Sequence, residues 1–351
     1  MSGKIIGIAA GIAGLLTLGS MTAAAAAPSP SWHIAKSVHS GVNGDFTAMV
    51  ATGKATGWAF DGINGPTAWQ RHGSTWIEVR FPGKGGESVV AAAATSPSDV
   101  WAFTDVNQGS RVLRWNGHNW SIVTTFPEPI GGTAVLASND VWVFGQPGIT
   151  EQLGAWHYNG HIWSRISKNI DGGSALAPND VWAFSGTDVT HWNGHRWAST
   201  SVESLLPRKQ MLNFPAVTGI YGESAHSVYA IGNGNGQDEG GPTVVLHYNG
   251  HKWSKVAEGS FGYGTLPSQQ ITADGHGGLW LPMPGVLGAP SYLVHYAAGK
   301  LTTVKLPTSA KLINVESVAR VPGTTQVLAG GFTHARNDPW LRVVAVILQF
   351  S

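Results

Sequence analysis

The sequence predicts an all-β fold, a seven-bladed β-propeller closed by its N-terminal strand in the last blade. Two repeated motifs and the match between the two ends of the chain lead to this prediction. The motif Asp-Val-Trp-Ala-Phe at 99–103 recurs at 180–184 and, with Val for Ala, at 140–144. Weaker copies lie around Trp58, Tyr229, Trp280 and Leu328, which makes seven units. A unit that returns about every 40 residues is the mark of a repeat architecture.

A second motif, an aromatic residue followed by Asn-Gly-His-x-Trp, follows the first one at 115–120, 158–163, 192–197 and 248–253. Asn-Gly between alternating hydrophobic residues predicts a two-residue type I′ hairpin turn, in which both central residues have positive φ. Such a turn would place Trp115 opposite His118 and Leu113 opposite Trp120. With an apolar inner strand before each first motif, as at 88–94, every repeat contains four strands, which is a propeller blade.

The two ends of the chain predict how the ring closes. The last repeat stops at 348–351, where Phe350 takes the position of Trp115 and no outer strand follows. Near the other end, residues 32–38 read like residues 120–126, the outer strand of the second blade. The N-terminal segment is therefore predicted to complete the seventh blade, which removes the free edges of the sheets.

Composition excludes several classes of function. Charged residues make up 12% of the chain against about 25% in an average soluble protein, and Gly (47) and Trp (16) are abundant. The 21 basic and 20 acidic residues nearly balance, which argues against nucleic acid or an anionic membrane surface as partner. The chain has no Cys, which excludes disulfides, thiol nucleophiles, Cys-ligated zinc and a lipoprotein anchor.

The first residues have the layout of a Sec signal peptide. Lys4 precedes an apolar run at 5–18, and alanines fill 23–27. We expect residues 1–26 to be removed, although cleavage after Ala25 fits nearly as well, and residues 27–351 to form a single propeller domain. The apolar run is shorter than the ~20 residues that span a bilayer. The mature chain is thus expected to be secreted and extracellular, without a membrane anchor, and monomeric.

The alternation of Asp-Val-Trp-Ala-Phe with Arg-Trp-Asn-Gly-His-Asn-Trp at 114–120 resembles tectonin-like repeats and the Trp-rich secreted bacterial β-propeller proteins. The similarity covers blades two to five well, blade one partly and the last two blades poorly. It implies a propeller fold and, for the tectonin-like repeats, lectin-like binding of glycans.

Repeated His and Trp residues are explained by packing. Three repeats contain His-x-x-x-His, for example His157 with His161, but the predicted hairpin places the two imidazoles on opposite faces, so no metal site is expected. All Trp residues except Trp340 have a place in the repeat between blades, with Trp69, Trp115 and Trp192 just before the turn. Trp340 is therefore the candidate for stacking against a ligand.

The loops that connect strands two and three of each blade, and successive blades, are irregular and share one face of the ring. Variable loops on a rigid scaffold are the usual place for function. We therefore predict a carbohydrate site on this face, around the central funnel, with an extracellular glycan or polysaccharide as partner. Its candidate binding residues are Trp340, Gln237, Asp238, Glu239, Arg208 and Glu151.

An enzyme that degrades polysaccharides remains an alternative. His334, Arg336 and Asp338 would point the same way in an extended segment, and a base beside a cation suits a uronate polysaccharide lyase. Asp238 or Glu239, with Glu151 or Glu128, could instead form the carboxyl pair of a glycoside hydrolase. No organic cofactor is expected, because the chain has neither a phosphate-binding Gly loop nor a Ser nucleophile elbow. A protein-interaction scaffold is the third reading.

Overall fold

Seven four-stranded antiparallel sheets follow one another as the blades of a ring, which confirms the predicted seven-bladed propeller. The structure is a computed structural model, and it describes residues 30–38, 44–62, 66–106, 109–146, 153–208, 214–234, 241–261, 270–285, 291–307, 313–335 and 338–351, with the backbone alone for 334, 335 and 338–342. Ser31–Ser351 form one compact unit. The predicted leader lies outside the described residues, so its removal stays a prediction.

Blades one to six each consist of four consecutive strands, numbered from the inner to the outer strand. Blade one comprises β2 (Phe46–Gly53), β3 (Thr56–Asp61), β4 (Thr67–His72) and β5 (Thr75–Val79), and blade two comprises β6 (Glu87–Ser96), β7 (Asp99–Val106), β8 (Gly109–Trp115) and β9 (Trp120–Phe126). Blade three comprises β10 (Gly132–Ala137), β11 (Asp140–Phe144), β12 (Ala155–Tyr158) and β13 (Trp163–Ser167), and blade four comprises β14 (Gly172–Ala177), β15 (Asp180–Ser185), β16 (Asp188–Trp192) and β17 (Trp197–Ser201). Blade five comprises β18 (Ala216–Ser224), β19 (Ser227–Asn233), β20 (Thr243–Tyr248) and β21 (Trp253–Gly259), and blade six comprises β22 (Thr272–Ala273), β23 (Leu279–Met283), β24 (Tyr292–Ala297) and β25 (Lys300–Thr303). A 3₁₀ turn, Glu203–Leu205, lies between blades four and five.

The seventh blade closes the ring with both ends of the chain, as the sequence predicts. Its strands are β26 (Ile313–Arg320), β27 (Val327–Ala335), β28 (Asp338–Phe350) and, outermost, β1 (Trp32–Val38). Trp32 pairs with Phe350 as Trp120 pairs with Trp115 in blade two. The closing strand therefore repeats the register of an ordinary outer strand.

The hydrophobic core lies between neighbouring blades. The second strand of each blade is covered on both sides, and Val100, Trp101, Ala102 and Phe103 of β7 are all fully buried. At six of the seven contacts between blades, aromatic residues of the outer hairpin pack on the second-strand aromatic residue of the preceding blade. Trp120 lies 5.2 Å from Trp58, and Trp32 lies 5.3 Å from Trp280, both edge-to-face. Edge-to-face aromatic pairs add stability beyond the burial of their area.

The Asn-Gly-His turns are four residues long, so the predicted two-residue type I′ turn is wrong. Trp115 pairs with Trp120 and not with His118, and Leu113 pairs with Ile122. Gly117 alone has positive φ among these turn residues (95°). The side-chain Oδ1 of Asn116 accepts hydrogen bonds from the backbone N–H groups of His118 and Asn119, both at 3.0 Å. The Asn side chain thus builds the turn by satisfying two backbone donors.

The first His of each His-x-x-x-His pair is half-buried and packs on the aromatic residue of the second strand, as expected from the packing interpretation. His191 Nε2 donates to Asp180 Oδ1 at 2.8 Å, and its ring stacks on Trp182 at 4.2 Å. The two rings are stacked face to face. His157 and His295 repeat the arrangement with Asp140 and Asp274. The second His, such as His195, is exposed in the turn, and no group of three or more His, Asp or Glu in the described part of the chain could hold a metal.

Trp69 does not occupy the predicted position just before the outer turn of blade one. Arg71 pairs with Trp76 across the outer hairpin of blade one, which is the position just before the turn. Trp69 pairs with Glu78 two residues further from the turn, where blade two has Leu113. Arg71, and not Trp69, is therefore the counterpart of Trp115.

Candidate functional site

The ring has two different faces. The turns between strands one and two and between strands three and four share one face, which we call the turn face. The connections between strands two and three and between successive blades share the opposite face, which we call the loop face. The sequence predicts the ligand site on the loop face.

Most of the predicted site residues lie outside what the structure describes. Gln237, Asp238, Glu239, Glu151 and Arg336 are outside the described residues, and His334, Asp338 and Trp340 are described by their backbone alone. Arg208 is exposed at the end of the link that follows blade four. The contributions of these side chains to a site therefore stay predictions.

The backbone of blade seven corrects one assumption about its loop. Ala335 at the end of β27 pairs with Asp338 at the start of β28, and His334 pairs with Val343. His334 and Asp338 thus belong to two antiparallel strands and not to one extended segment. Trp340 lies in β28 between these two paired positions, at the loop face.

The inner strands of all seven blades enclose a small cavity at the centre of the ring. Gln270, just before β22 in blade six, donates from Nε2 to the carbonyl oxygens of Thr47 (2.8 Å) and Val90 (3.0 Å) in blades one and two. The cavity beside Gln270 has a volume of about 150 Å³. Every blade lines it, either with its inner strand or with residues directly before that strand. Pockets for small ligands usually measure about 300 to 1,000 Å³. The cavity at this level is therefore smaller than the usual pocket for a small ligand.

Three carboxyl groups meet on the loop face, where blade seven adjoins blade one. Asp45 precedes β2, Asp61 ends β3, and Glu316 lies on β26, the inner strand of blade seven. Asp61 Oδ1 accepts a hydrogen bond from the backbone N–H of Asp45 at 3.1 Å. The side-chain Oδ1 of Asp45 is buried without a hydrogen-bond partner among the described groups. We call Asp45, Asp61 and Glu316 the rim acid cluster.

The cluster changes the acidity of its members. Burial, together with the charges of Glu316 and Asp61, raises the pKa of Asp45 to about 7. Burial also raises the pKa of Glu316. Near neutral pH, Asp45 can thus both donate and accept a hydrogen bond, while a neighbouring carboxylate only accepts.

A second acid on the loop face shows what a structural partner does. Glu87 at the start of β6 is fully buried and forms a salt bridge with Arg111. Burial alone would raise the pKa of Glu87, but hydrogen bonds from Arg111, from Thr104 and from the backbone of Lys84 outweigh it and hold the pKa below its usual value. Arg111 also donates to the carbonyl oxygen of Pro82 at 2.9 Å, so this pair fixes the connection between blades one and two. Among the described residues, no salt bridge of this kind holds Asp45 or Glu316.

Sequence reasoning overlooked the rim acids, although the repeats contain a signal for one of them. Three residues after the second-strand aromatic residue, blade one has Asp61. The other blades have neutral residues at this position: Thr104, Gly145, Ser185, Gly232, Met283 and Gly331. An acid at a position that is otherwise neutral in the repeat is a departure from the scaffold pattern, and departures of this kind mark candidate sites.

Comparisons with known proteins support the fold alone. No model of a known protein family matches the chain, and no curated protein sequence matches it. Among solved structures, YCF48 from Cyanidioschyzon merolae is similar with a TM-score of 0.57 and 13% identity, over 91% of this chain and 98% of that one. The structure of YCF48 bound to D1 peptide gives a TM-score of 0.56 and 12% identity, over 91% and 96%. The WD40 repeats of RRP9 give 0.59 and 11%, over 91% and 98%. These structures are β-propellers, and identities this low say nothing about the ligand.

No helix in the described part of the chain is both long enough and apolar enough to cross a membrane.

Proposed function

We propose that this propeller binds carbohydrate on the loop face, where blade seven adjoins blade one. The observation that carries the proposal is the rim acid cluster, because it brings three carboxyl groups together and the pKa of Asp45 there is raised to about 7. Sugar hydroxyls donate and accept hydrogen bonds, and paired carboxyl groups of which one is partly protonated offer both roles. A chain with balanced charge suits a neutral or weakly charged glycan better than a polyanion such as nucleic acid.

The blade-seven loop supplies the second part of the proposed site. Trp340 lies at the loop face in the same blade as Glu316, and a Trp ring offers a large apolar surface on which a sugar ring can stack. We propose that Trp340 stacks on the glycan while Asp45 and Asp61 bind its hydroxyls. Further contacts for a longer chain of sugars are proposed to come from Gln237, Asp238, Glu239, Arg208 and Glu151.

Export by the predicted signal peptide would bring the protein to extracellular glycans. N-terminal sequencing of the secreted protein should then find Ala27 as the first residue.

A glycan array tests the binding proposal. The wild type should bind a restricted set of glycans, Trp340→Ala should lose them, and Asp45→Asn should weaken them by about tenfold, as expected for a lost charge-assisted hydrogen bond. Glu258→Gln, an exposed acid on the outer strand of blade five, serves as the control and should bind like the wild type. No bound glycan, or binding that both site variants leave unchanged, would refute the proposal.

A second function is favoured by the acidity of Asp45. A carboxyl group with a pKa near 7 beside other carboxyls has the arrangement of a general acid and its partner in glycoside hydrolysis. Asp45 would protonate the leaving oxygen, and Asp61 or Glu316 would act as nucleophile or base. Release of reducing ends from neutral polysaccharides should then fall as the pH rises above about 7, and Asp45→Asn should abolish it.

The lyase alternative predicts a product that can be detected by its ultraviolet absorbance. Elimination at His334, Arg336 and Asp338 would produce unsaturated uronate, which absorbs ultraviolet light. If neither this absorbance nor new reducing ends appear on a broad panel of polysaccharides, both enzymatic functions fail. Glycan binding, or interaction with a protein as the third reading, would then remain, and the array separates these two.

A further inference from the structure

The contact between blades seven and one departs from the repeat on the turn face as well. The position just before the outer turn is aromatic in six blades: Trp115, Tyr158, Trp192, Tyr248, Tyr296 and Phe350. Blade one has Arg71 there. A cation thus occupies the place where every other blade packs a ring against its neighbour.

The neighbouring blade lacks the carboxylate that would balance this cation. Three other blades carry an Asp, a His and a Trp that contact one another at this level, as Asp140, His157 and Trp142 do in blade three. The corresponding residues of blade seven are Gln326, Gln349 and Leu328, with Leu328 paired to Gln349. Both glutamines are neutral, so among the residues that the structure describes the contact gains a positive charge without a negative one.

Arg71 is consequently a buried cation with incomplete pairing. The residue is 6% exposed. Nε donates to the carbonyl oxygen of Gly73 at 2.9 Å and Nη2 donates to Gln349 Oε1 at 3.2 Å, whereas Nη1 is buried without a partner among the described groups. By contrast, Arg114 in blade two donates to Asp99 at 2.7 Å. An unpaired buried charge is costly, and an anion that reaches it is bound in compensation.

A cavity of about 830 Å³ lies beside Arg71 and opens on the turn face. Lys54 and His33 add two exposed basic groups at its wall, and no Asp or Glu is among the described residues that line it. Hydroxyl groups and amides of the turns complete the lining, with Ser74, Thr324, Thr325, Gln326 and Gln349. Its volume is in the range of pockets that hold small organic ligands, and far above what a single inorganic anion fills.

We propose that this seam pocket binds the carboxylate of an acidic sugar, a hexuronate. The carboxylate would neutralise Arg71 and Lys54, and the sugar hydroxyls would bind the hydroxyls and amides of the two turns. Volume and lining favour a sugar acid over a bare anion, since the groups around the two cations match a polyol. The pocket lies on the face opposite the rim acid cluster, so it is a separate site and does not depend on the function proposed above.

Calorimetric titration of the purified chain with D-glucuronate, D-glucose and sodium sulfate tests the proposal. We expect binding of glucuronate, no binding of glucose, and weaker binding of sulfate. Lys54→Glu alters an exposed residue and should weaken glucuronate binding by about tenfold or more, because it reverses a charge at the pocket wall. Lys252→Glu makes the same change in an exposed turn of blade five on the same face, and should bind like the wild type.

Arg71→Met should abolish glucuronate binding, and Arg71→Lys, which retains the charge, should restore part of it. If Arg71→Met does not fold, the Lys54→Glu comparison decides alone. Asp45→Asn and Trp340→Ala should leave this titration unchanged, which separates it from the loop-face site. The proposal is overturned if glucuronate does not bind, if sulfate binds and glucuronate does not, or if Lys54→Glu and Lys252→Glu have equal effects.

Discussion

Two acids on the same face illustrate how a single partner decides what a residue does. Glu87 begins an inner strand and is fully buried, and Asp45 directly precedes another inner strand and is half-buried. Glu87 pairs with Arg111 and its pKa falls, whereas Asp45 has other acids beside it and its pKa rises to about 7. A paired acid stabilises the fold, while an unpaired one is available to a ligand. We therefore base the proposed site on Asp45 and not on Glu87.

The raised pKa of Asp45 predicts a pH-dependent stability. The folded chain holds this proton more tightly than the unfolded chain, where the pKa of Asp is about 3.9. The contribution of Asp45 to the free energy of unfolding is thus fully present below about pH 4 and is lost as the pH rises through about 7. Asp45→Asn should remove this loss and, at about pH 8, stabilise the chain by roughly 1 to 3 kcal/mol, a range reduced for the partial exposure of the group.

Thermal unfolding of the wild type and of Asp45→Asn between about pH 4 and pH 8 measures this effect. Glu78→Gln, an exposed acid on the outer strand of blade one, is the control and should follow the wild type at every pH. Parallel curves for wild type and Asp45→Asn would show that Asp45 titrates normally in the folded chain.

At the scale of single elements, the sequence predicted strands well and turns poorly. The Asp-Val-Trp-Ala-Phe motifs placed the second strands, because a run that is buried on both sides must be apolar throughout. The Asn-Gly-His turns were assigned two residues too few, because the side chain of Asn116 replaces a backbone acceptor and the strand pattern does not record that. The Arg71 to Gln349 hydrogen bond joins residues 278 positions apart, and no local pattern indicates such a contact. Fold was therefore predictable from local repeats, while the seam between blades seven and one was not.

Replacing two glycines that have positive φ should lower the free energy of unfolding by different amounts. Gly160 in blade three has φ of 91°, and a Cβ there would lie 2.7 Å from the Cβ of Asn139. Gly186 in blade four also has positive φ (57°), but no atom lies within 4 Å of its Cβ position. Gly186→Ala should lower the free energy of unfolding by about 1 kcal/mol for the left-handed conformation, and Gly160→Ala by about 1 to 3 kcal/mol more for the added clash.

Urea unfolding of the two variants provides the comparison. Equal losses would mean that the turn can move away from Asn139 without cost, and that its close approach to the preceding turn does not matter for stability.

For the whole molecule, both proposed sites lie at the contact between blades seven and one, on opposite faces of the ring, and blade seven also contains both ends of the described chain. Six contacts between blades repeat the same aromatic packing, whereas the contact between blades seven and one has Leu328, Arg71 and two glutamines on one face and the rim acids on the other. The departures from the repeat at this contact supply Arg71 and the rim acids, so both proposed sites depend on it. The same contact depends on β1, which joins the ring about 310 residues before its partner strand.

Closure by β1 predicts that the ring fails when this strand is weakened. Trp32 is 8% exposed and contacts Trp280 and Phe350 at 5.3 and 5.5 Å. Trp32→Ala should lower the free energy of unfolding by about 3 to 5 kcal/mol, since it removes a large buried ring between blades six and seven. A chain that begins at Ser40 lacks β1 entirely and exposes the edge of β28, so it should melt at a lower temperature and aggregate.

Two matched controls should melt like the wild type. One is His33→Ala, at an exposed neighbour on the same strand, and the other is a chain that begins at Ser31. Calorimetry of these four proteins decides the matter, because a chain from Ser40 that unfolds at the wild-type temperature without aggregating would show that six complete blades and three strands suffice for a stable ring.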